Sequence, residues 1–504
     1  MTVRILPSGP RARLVEHDDP AGYAAGLHTA AADGAIHGLV DAIPAERTVL
    51  LRFDDTPPPD AILASIEPRT SLAGRTDDII EIPVVYDGED LESIARTCGM
   101  GVEDVISLHS APTYLVAFCG FAPGFAYLTG TDRRLHFPRR DTPRTRVPAG
   151  AVAIAAGYSA VYPLSSPGGW HLLGRTDEPI FDPTREEPAL LHPGMRVRFI
   201  PSRSGAMPPV ASSAPSREAT DDPAFEVLHP GPLTLLQDLG RPGHGSIAVG
   251  ESGAFDRGAL RLANRIAGNP ETAGALEALG GGLTLRALRH GVVVVTGATG
   301  PLSVDGTPAD RCTPLRLAPG HVVTLGQPVT GVRSIVAVRG GIEGPRVLGS
   351  LATDTLAGLG PQRIASGSLL SVGDARGDIN VDHVPTSNPP SSITLRLHPG
   401  PRYEWLTASA RTLLAEGVFT VGVDSDRIGV RLDGPRLDLR EARPLASEGV
   451  VRGAVQVPPD GRPVVLGPDH PVTGGYPVVA VVEQVDALAQ AAPGVPVRFT
   501  LVGW

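Results

Sequence analysis

The chain has 504 residues, 42% of them apolar, so it can bury several cores, and a length-based prior gives about three to four domains. Its 60 glycines and 51 prolines point to many turns between short strands, and its formal charge of −10, without a basic block interleaved with aromatics, excludes a nucleic-acid footprint. All 44 cationic residues are arginine, which excludes a Schiff-base lysine, a Walker A phosphate loop, a kinase-type lysine and a biotinyl-lysine on this chain.

The first 80 residues predict a small α+β subdomain, with a helix over Asp18–Gly34 and a turn at Thr56–Asp60. Residues 81–200 predict an antiparallel barrel: short apolar runs broken by glycine and proline, with two helices at Glu89–Cys98 and Val102–His109. Pro201–Pro223 lacks hydrophobic periodicity and predicts a linker. Residues 224–504 form a second unit with β-rich halves near 224–385 and 386–504. Within it Asp256 caps a helix that ends at Gly268, strands follow at Val292–Thr296, Val322–Leu325 and Ile335–Arg339, and a further helix spans Tyr403–Glu416. Arg146–Ile154 followed by Gly168–Trp170 is echoed by Val451–Val457 followed by Gly474–Tyr476, a repeat that gives both units the same barrel.

Cys98, Cys119 and Cys312 are an odd set with no C-x-x-C, which predicts reduced thiols and no zinc ribbon, and no calcium-loop spacing occurs, so no metal ligands are assigned. The amino terminus lacks a signal sequence and no 18-residue apolar run occurs, which predicts a cytoplasmic protein without a membrane partner.

Candidate chemistry gathers in a few loops. Phe118–Leu128 packs three phenylalanines and a tyrosine around Pro123 and Gly124, either as barrel core or as a pocket wall containing Phe121. Arg139, Arg140, Arg144 and Arg146 could clamp an anion or coat a loop. His171 and Arg175 would share a strand face, with His171 a candidate acid or base. Asp238, Arg241 and His244 share one glycine-rich loop ahead of the helix capped by Asp256. Asp426, Arg427, Asp469, Thr473, Gly474, Gly475 and Tyr476 lie beside later glycine turns.

The strings GFAPGFAYL, RTRVPAGAVAI, QDLGRPGHGSIAVGESGAFDRGALRLANRIAGN, DSDRIGVRLDG and DHPVTGGYP together resemble the allophanate hydrolase subunit 1 and 2 domains, assigned in many bacteria to the B-type and C-type subunits of 5-oxoprolinase. The pair is also similar to the carboxyltransferase region of urea carboxylase and to a sporulation-kinase inhibitor with its antagonist. The resemblance implies a mainly β chain with α+β character, built on tandem cyclophilin-like β-barrels with a cleft between the two units. It implies ATP with magnesium, a separate A-type subunit of 5-oxoprolinase, and a small amide or lactam substrate, and it leaves a homo-oligomer open. The carboxyltransferase alternative would need carboxybiotin from another protein, and a kinase-regulating binding protein would need no catalytic groups. The resemblance carries site function over to the GRPG loop, the GAFD segment, the DRIG segment and the DHPVTGGY loop. Together with the residue readings above, the catalytic candidates are Asp238, Arg241, His244 and His171, and the binding candidates are Phe121, Pro123, Gly124, Arg146, Arg175, Asp256, Asp426, Arg427, Asp469, Thr473, Gly474, Gly475 and Tyr476. DHPV departs from the D-x-x-T form expected there, which leaves the role of His470 open. On this basis Asp238→Ala or Arg241→Ala should cut turnover with the fold intact.

Overall fold

Strands of two to nine residues, alternating with glycine turns, dominate the chain, as its composition requires. The computed structural model describes residues 3–69, 79–203, 222–385, 390–440 and 445–502. Most of the Pro201–Pro223 linker lies outside the described residues.

The amino-terminal strands Arg4–Pro7, Ala12–Glu16, Thr48–Phe53 and Leu39–Pro44 pair antiparallel in that spatial order. The helix Pro20–Ala32 packs on them, its first turn capped by the Asp19 carboxylate, which accepts from Gly22 N–H.

The first barrel has seven strands: β1 Ile79–Val84, β2 Tyr114–Cys119, β3 Ala126–Thr129, β4 Ala151–Ala155, β5 Tyr158–Val161, β6 His171–Arg175 and β7 Arg196–Pro201. Their spatial order is β6-β4-β5-β3-β2-β7-β1, and Val85 bridges Arg175 so that the two edges meet. The last barrel has β8 Ile393–Pro399, β9 Phe419–Val421, β10 Gly429–Asp433, β11 Ala454–Gln456, β12 Val464–Leu466, β13 Val478–Val482 and β14 Pro496–Leu501. It is closed in the order β13-β11-β12-β10-β9-β14-β8, the first barrel's order strand for strand. In each, one parallel pair, β1 with β7 and β8 with β14, interrupts an otherwise antiparallel sheet. The sequence echo falls on β4 and β11, at equivalent places in this duplicated topology. Closure removes exposed edges, which stabilises short strands that would not persist alone.

Between the barrels, a seven-stranded and a five-stranded sheet enclose a shared core that includes Leu236, Leu276, Val295 and Val336. The helix Arg257–Ala267 covers the outer face of the smaller sheet. Asp256 is its N-cap, accepting from Ala259 N–H at 2.8 Å, and Gly268 ends it in the left-handed conformation.

The helix expected over Tyr403–Glu416 divides into a 3₁₀ turn, Tyr403–Trp405, and the helix Ala408–Glu416. Leu406 is extended, and the Thr407 hydroxyl accepts from Ala410 N–H, so a cap starts the second segment afresh. On β6, a bulge between Leu172 and Gly174 breaks the alternation on which a common face for His171 and Arg175 depended.

The two units share apolar interior. Ala12, Leu14, Ile43 and Leu50 pack in one cluster with Val450, Val451, Leu466, Val472 and Val481 of the last barrel. Phe181 and Ala189 pack with Ile247, Val249 and Leu359. Among the described residues no helix is long and apolar enough to cross a membrane.

Candidate functional site

The loop after strand Leu233–Gln237 is drawn against the amino-terminal sheet by Asp41. Gly243 N–H and Gly245 N–H each donate to the Asp41 carboxylate at 3.1 Å, and Arg52 Nη1 lies 3.3 Å from it. Burial raises the pKa of Asp41, with Arg52 and the two amides opposing. Arg52 continues to Glu251 at 2.7 Å, and Arg257 reaches the same carboxylate at 3.1 Å. Burial alone would raise Glu251, but Arg257, Arg52 and Arg452 hold it at about 2, so it is a fixed anion.

Asp238 is a brace of this loop. Its carboxylate accepts from Gly240 N–H at 2.8 Å, Ser350 Oγ at 2.6 Å and Leu351 N–H at 2.7 Å. Gly240 (φ +94°) has no room for a methyl, which would sit 2.4 Å from the Glu251 carbonyl. Asp238→Ala leaves those three donors without their acceptor. We expect it to lower stability by about 1–3 kcal/mol in a denaturant melt, so loss of turnover with an intact fold is not the expected outcome for this substitution.

Arg241 is 2% exposed. It donates to the carbonyls of Val347 and Ala352, while its buried Nη1 has no hydrogen-bond partner. Burial lowers its pKa against the pull of Asp354, Asp238 and Asp469. His244 precedes a short 3₁₀ turn and is half-buried; burial lowers its pKa while Asp41 opposes.

Next to this loop lies a buried ionic knot. Arg427, on the turn between β9 and β10, meets Asp469 at 2.8 and 2.9 Å, Glu277 at 2.6 Å and the Gly253 carbonyl at 2.7 Å. Asp469 also accepts from Ser252 Oγ at 2.7 Å and from the Thr355 amide and hydroxyl at 2.9 and 2.8 Å. Glu277 accepts from Phe255 N–H at 2.7 Å. Every carboxylate here has its donors, which is the condition for keeping charges away from water.

Asp354 stands next to that knot and differs from it. Its Oδ1 accepts from the amides of Leu356 and Ala357, both at 2.9 Å. Burial, then the neighbouring Asp469, push it up to about 6, against the backbone amides and Arg241. Gly250 leaves space beside it: a methyl there would lie 3.6 Å from Asp354 Oδ2 and 3.4 Å from the His470 carbonyl. His470 is buried, its Nδ1 2.7 Å from the Pro471 carbonyl, and burial pushes it down to about 4, so it is neutral at pH 7.

The seam between units runs past these groups. Gly120 faces the Thr473 hydroxyl so closely that a methyl would sit 2.4 Å from it, and Gly124 N–H donates to the Ile247 carbonyl at 2.9 Å. Phe121 has a left-handed backbone (φ +69°) and is 45% exposed, while Tyr476 is 48% exposed. Phe118, Phe125, Tyr127, Tyr162 and Trp170 are buried together, so the aromatic segment is largely barrel core with Phe121 alone at its rim.

Other expected groups find partners elsewhere. His171 Nε2 contacts the Pro138 carbonyl at 3.0 Å, Arg175 pairs with Asp87 at 2.8 Å, and Arg146 donates to Ser165 Oγ at 3.0 Å. Arg140 and Arg144 both pair with Asp90, itself the acceptor of Leu172 N–H, so these two arginines brace the barrel. Asp256 accepts from Gln490 Nε2 as well as capping its helix, and Asp426 closes its own turn by accepting from the Ile428 and Gly429 amides. Asp41, Glu277 and Asp354 were missed. Each is a lone acid inside an apolar run, LVDAIP, ALEAL and LATDTL, and that interruption was the available signal. Among the described residues no cluster of three or more His, Cys, Asp or Glu side chains is placed to hold a metal.

Residues 3–191 match the family model described as carboxyltransferase domain, subdomains C and D, and residues 247–501 match subdomains A and B. The first unit is 44% identical over 181 residues to the B-type subunit of 5-oxoprolinase from Escherichia coli O157:H7, covering 33% of this chain and 80% of that protein. The second is 33% identical over 280 residues to the C-type subunit of 5-oxoprolinase from Escherichia coli strain K12, covering 55% of this chain and 90% of that protein. The crystal structure of TTHA0988 superposes with a TM-score of 0.86 at 35% identity, covering 97% of this chain and 99% of that one. With both subdomain pairs in one polypeptide, the chain belongs to the carboxyltransferase-domain family as a fusion of units related to the B-type and C-type subunits of 5-oxoprolinase.

Proposed function

We propose that the chain supplies both the B-like and C-like parts of an ATP-dependent 5-oxoprolinase, which opens 5-oxo-L-proline to L-glutamate together with a separate A-type subunit. The observation that carries this is the likeness of each unit to a different subunit of one enzyme, at 44% and 33% identity. Fusion then fixes their ratio.

Amide resonance makes the lactam carbonyl a poor electrophile. Phosphoryl transfer from ATP to its oxygen releases ADP and activates the ring carbon. Water then adds, the C–N bond breaks, and further hydrolysis gives glutamate and phosphate. Such chemistry needs fixed cationic donors where negative charge develops and a group that moves protons near neutral pH. Arg241, with Nη1 unsatisfied, fits the first need and Asp354, at about 6, fits the second. Phe121 and Tyr476 would wall the substrate at the seam. Without lysine, nucleotide phosphates would be met by arginine and backbone amides. A magnesium ion would have to arrive with those phosphates, since the described residues offer no ligand cluster of their own.

The test mixes the purified chain with the A-type subunit of a 5-oxoprolinase, ATP, magnesium and 5-oxo-L-proline, and measures glutamate and ADP with each protein omitted in turn. Both products should form only in the complete mixture. Their absence while the A-type partner is folded and bound overturns the proposal. Carboxyl transfer to a urea-like amide is the second reading, favoured by the family's description, and would require carboxybiotin carried by another protein.

A further inference from the structure

The stretch Arg241–Gly245 belongs to the second unit, but its shape is held by the first. Asp41, on the amino-terminal strand Leu39–Pro44, gives one carboxylate oxygen to Gly243 N–H and the other to Gly245 N–H. His244 lies between the two gripped amides. The fit is close: a methyl on Gly245 would sit 2.4 Å from Ile43 Cδ1, and Gly243 adopts φ +92°, which glycine takes without strain.

A second grip acts at the other end of the stretch. Arg52 is the cross-strand neighbour of Asp41, and it spans from that carboxylate to Glu251. The Glu251 carbonyl in turn accepts from Arg241 N–H at 2.7 Å. Within its own unit the loop is braced earlier, at Gly240, by Asp238. Among the described residues, Asp41 alone accepts from the Gly243 and Gly245 amides. Ordering a glycine-rich backbone costs more entropy than ordering other residues, so without Asp41 this segment would explore other shapes and carry His244 and the Arg241 backbone with it.

We propose that the first unit enters the reaction as a positioning element: Asp41 and Arg52 hold the Arg241–Gly245 stretch of the second unit in its working shape, without touching the substrate. This rests on the 5-oxoprolinase reading and divides the labour within it, with charge stabilisation on the second unit and its alignment on the first. A misplacement of about 1 Å costs up to about 10²-fold in rate, so a grip remote from the substrate governs turnover.

Asp41→Asn in the full chain tests this, because asparagine fills the same space but offers one oxygen where the two amides use two. Hydrogen exchange read by mass spectrometry should show the Arg241–Gly245 amides exchanging at least about tenfold faster, with the rest of the second unit unchanged. In the reconstituted reaction kcat should fall about 10- to 100-fold while KM for 5-oxo-L-proline stays within about twofold. Gly245→Ala, which presses the loop off Ile43 and leaves Asp41 in place, should act in the same direction. Asp90→Asn, which weakens a brace inside the first barrel, should lower the melting temperature but leave kcat and the loop's exchange unchanged. Unchanged loop exchange in Asp41→Asn, faster exchange with unchanged kcat, or an equal loss of kcat in Asp90→Asn would each overturn the proposal. A wild-type mixture that makes no glutamate counts against the reaction itself, and the exchange result then decides whether Asp41 holds the loop.

Discussion

Asp354→Asn should give a chain that is more stable at pH 8 and about 10²- to 10⁴-fold slower in the reconstituted reaction. Asparagine keeps an oxygen for the amides of Leu356 and Ala357 but cannot ionise. The native carboxyl is raised from 3.8 to about 6, chiefly by burial and then by Asp469, so its charged form opposes folding. The sign follows: the folded chain holds this proton more tightly, and native stability falls as pH rises from about 4 to about 6. Below that window the two chains should differ little. Above it the variant should be ahead by up to about 3 kcal/mol, the equivalent of a two-unit shift. Urea melts at pH 3.5, 5 and 8 measure the stability half, and the limb near pH 6 in the wild-type rate profile should vanish in the variant. Unchanged turnover would remove Asp354 from the reaction, whereas greater stability with lost turnover is the pattern of a functional group held under strain.

Arg427→Met should cost about 3–5 kcal/mol of stability, the largest loss expected from any one substitution in this region. The arginine is the common partner of Asp469 and Glu277, which are 0% and 3% exposed. Removing it leaves Asp469 buried without that partner, while Glu277 keeps Arg333 at 3.7 Å. The penalty belongs to the stranded charge, so Arg427→Met combined with Asp469→Asn should recover a large part of it. Denaturant midpoints of the single and double variants decide the matter. A single-variant loss below about 1 kcal/mol would mean that water reaches the knot and screens it.

These two expectations concern neighbours with opposite natures. The knot of Arg427, Asp469 and Glu277 is fully satisfied and gives rigidity, holding the β9–β10 turn and the Pro468–Thr473 segment against the helix-entry segment Ser252–Phe255. Asp354 and Arg241 each retain an unsatisfied tendency, one to hold a proton and one to find an acceptor. Chemistry is better placed on the second pair than on Asp238, whose oxygens are committed to the loop's own shape.

The sequence by itself determined what depends on near neighbours along the chain. Asp256 and Gly268 bounded their helix because caps act within a turn. Glycine-punctuated apolar runs indicated barrels, and the Ala151–Ile154 echo in Ala454–Val457 located equivalent strands of a duplicated topology. The missing lysine restricted the chemistry before any coordinates. The loops Gln237–Gly245 and Pro468–Tyr476 were legible as special, because glycine and proline in such density mark backbone close approach, and Asp424–Gly434 because its acids and arginines stand beside glycine turns. Tertiary structure alone decided what each charge in them does. Ser252 meets Asp469 across 217 positions, Arg427 meets Glu277 across 150, and Arg402 meets Glu16 across 386. Only the folded chain also revealed that Arg140 and Arg144 serve Asp90 and that a bulge shifts His171 relative to Arg175. The physical reason is range. Turns, caps and alternation are set by forces that act over a few residues, whereas the state of a buried charge is set by whichever distant groups folding places against it.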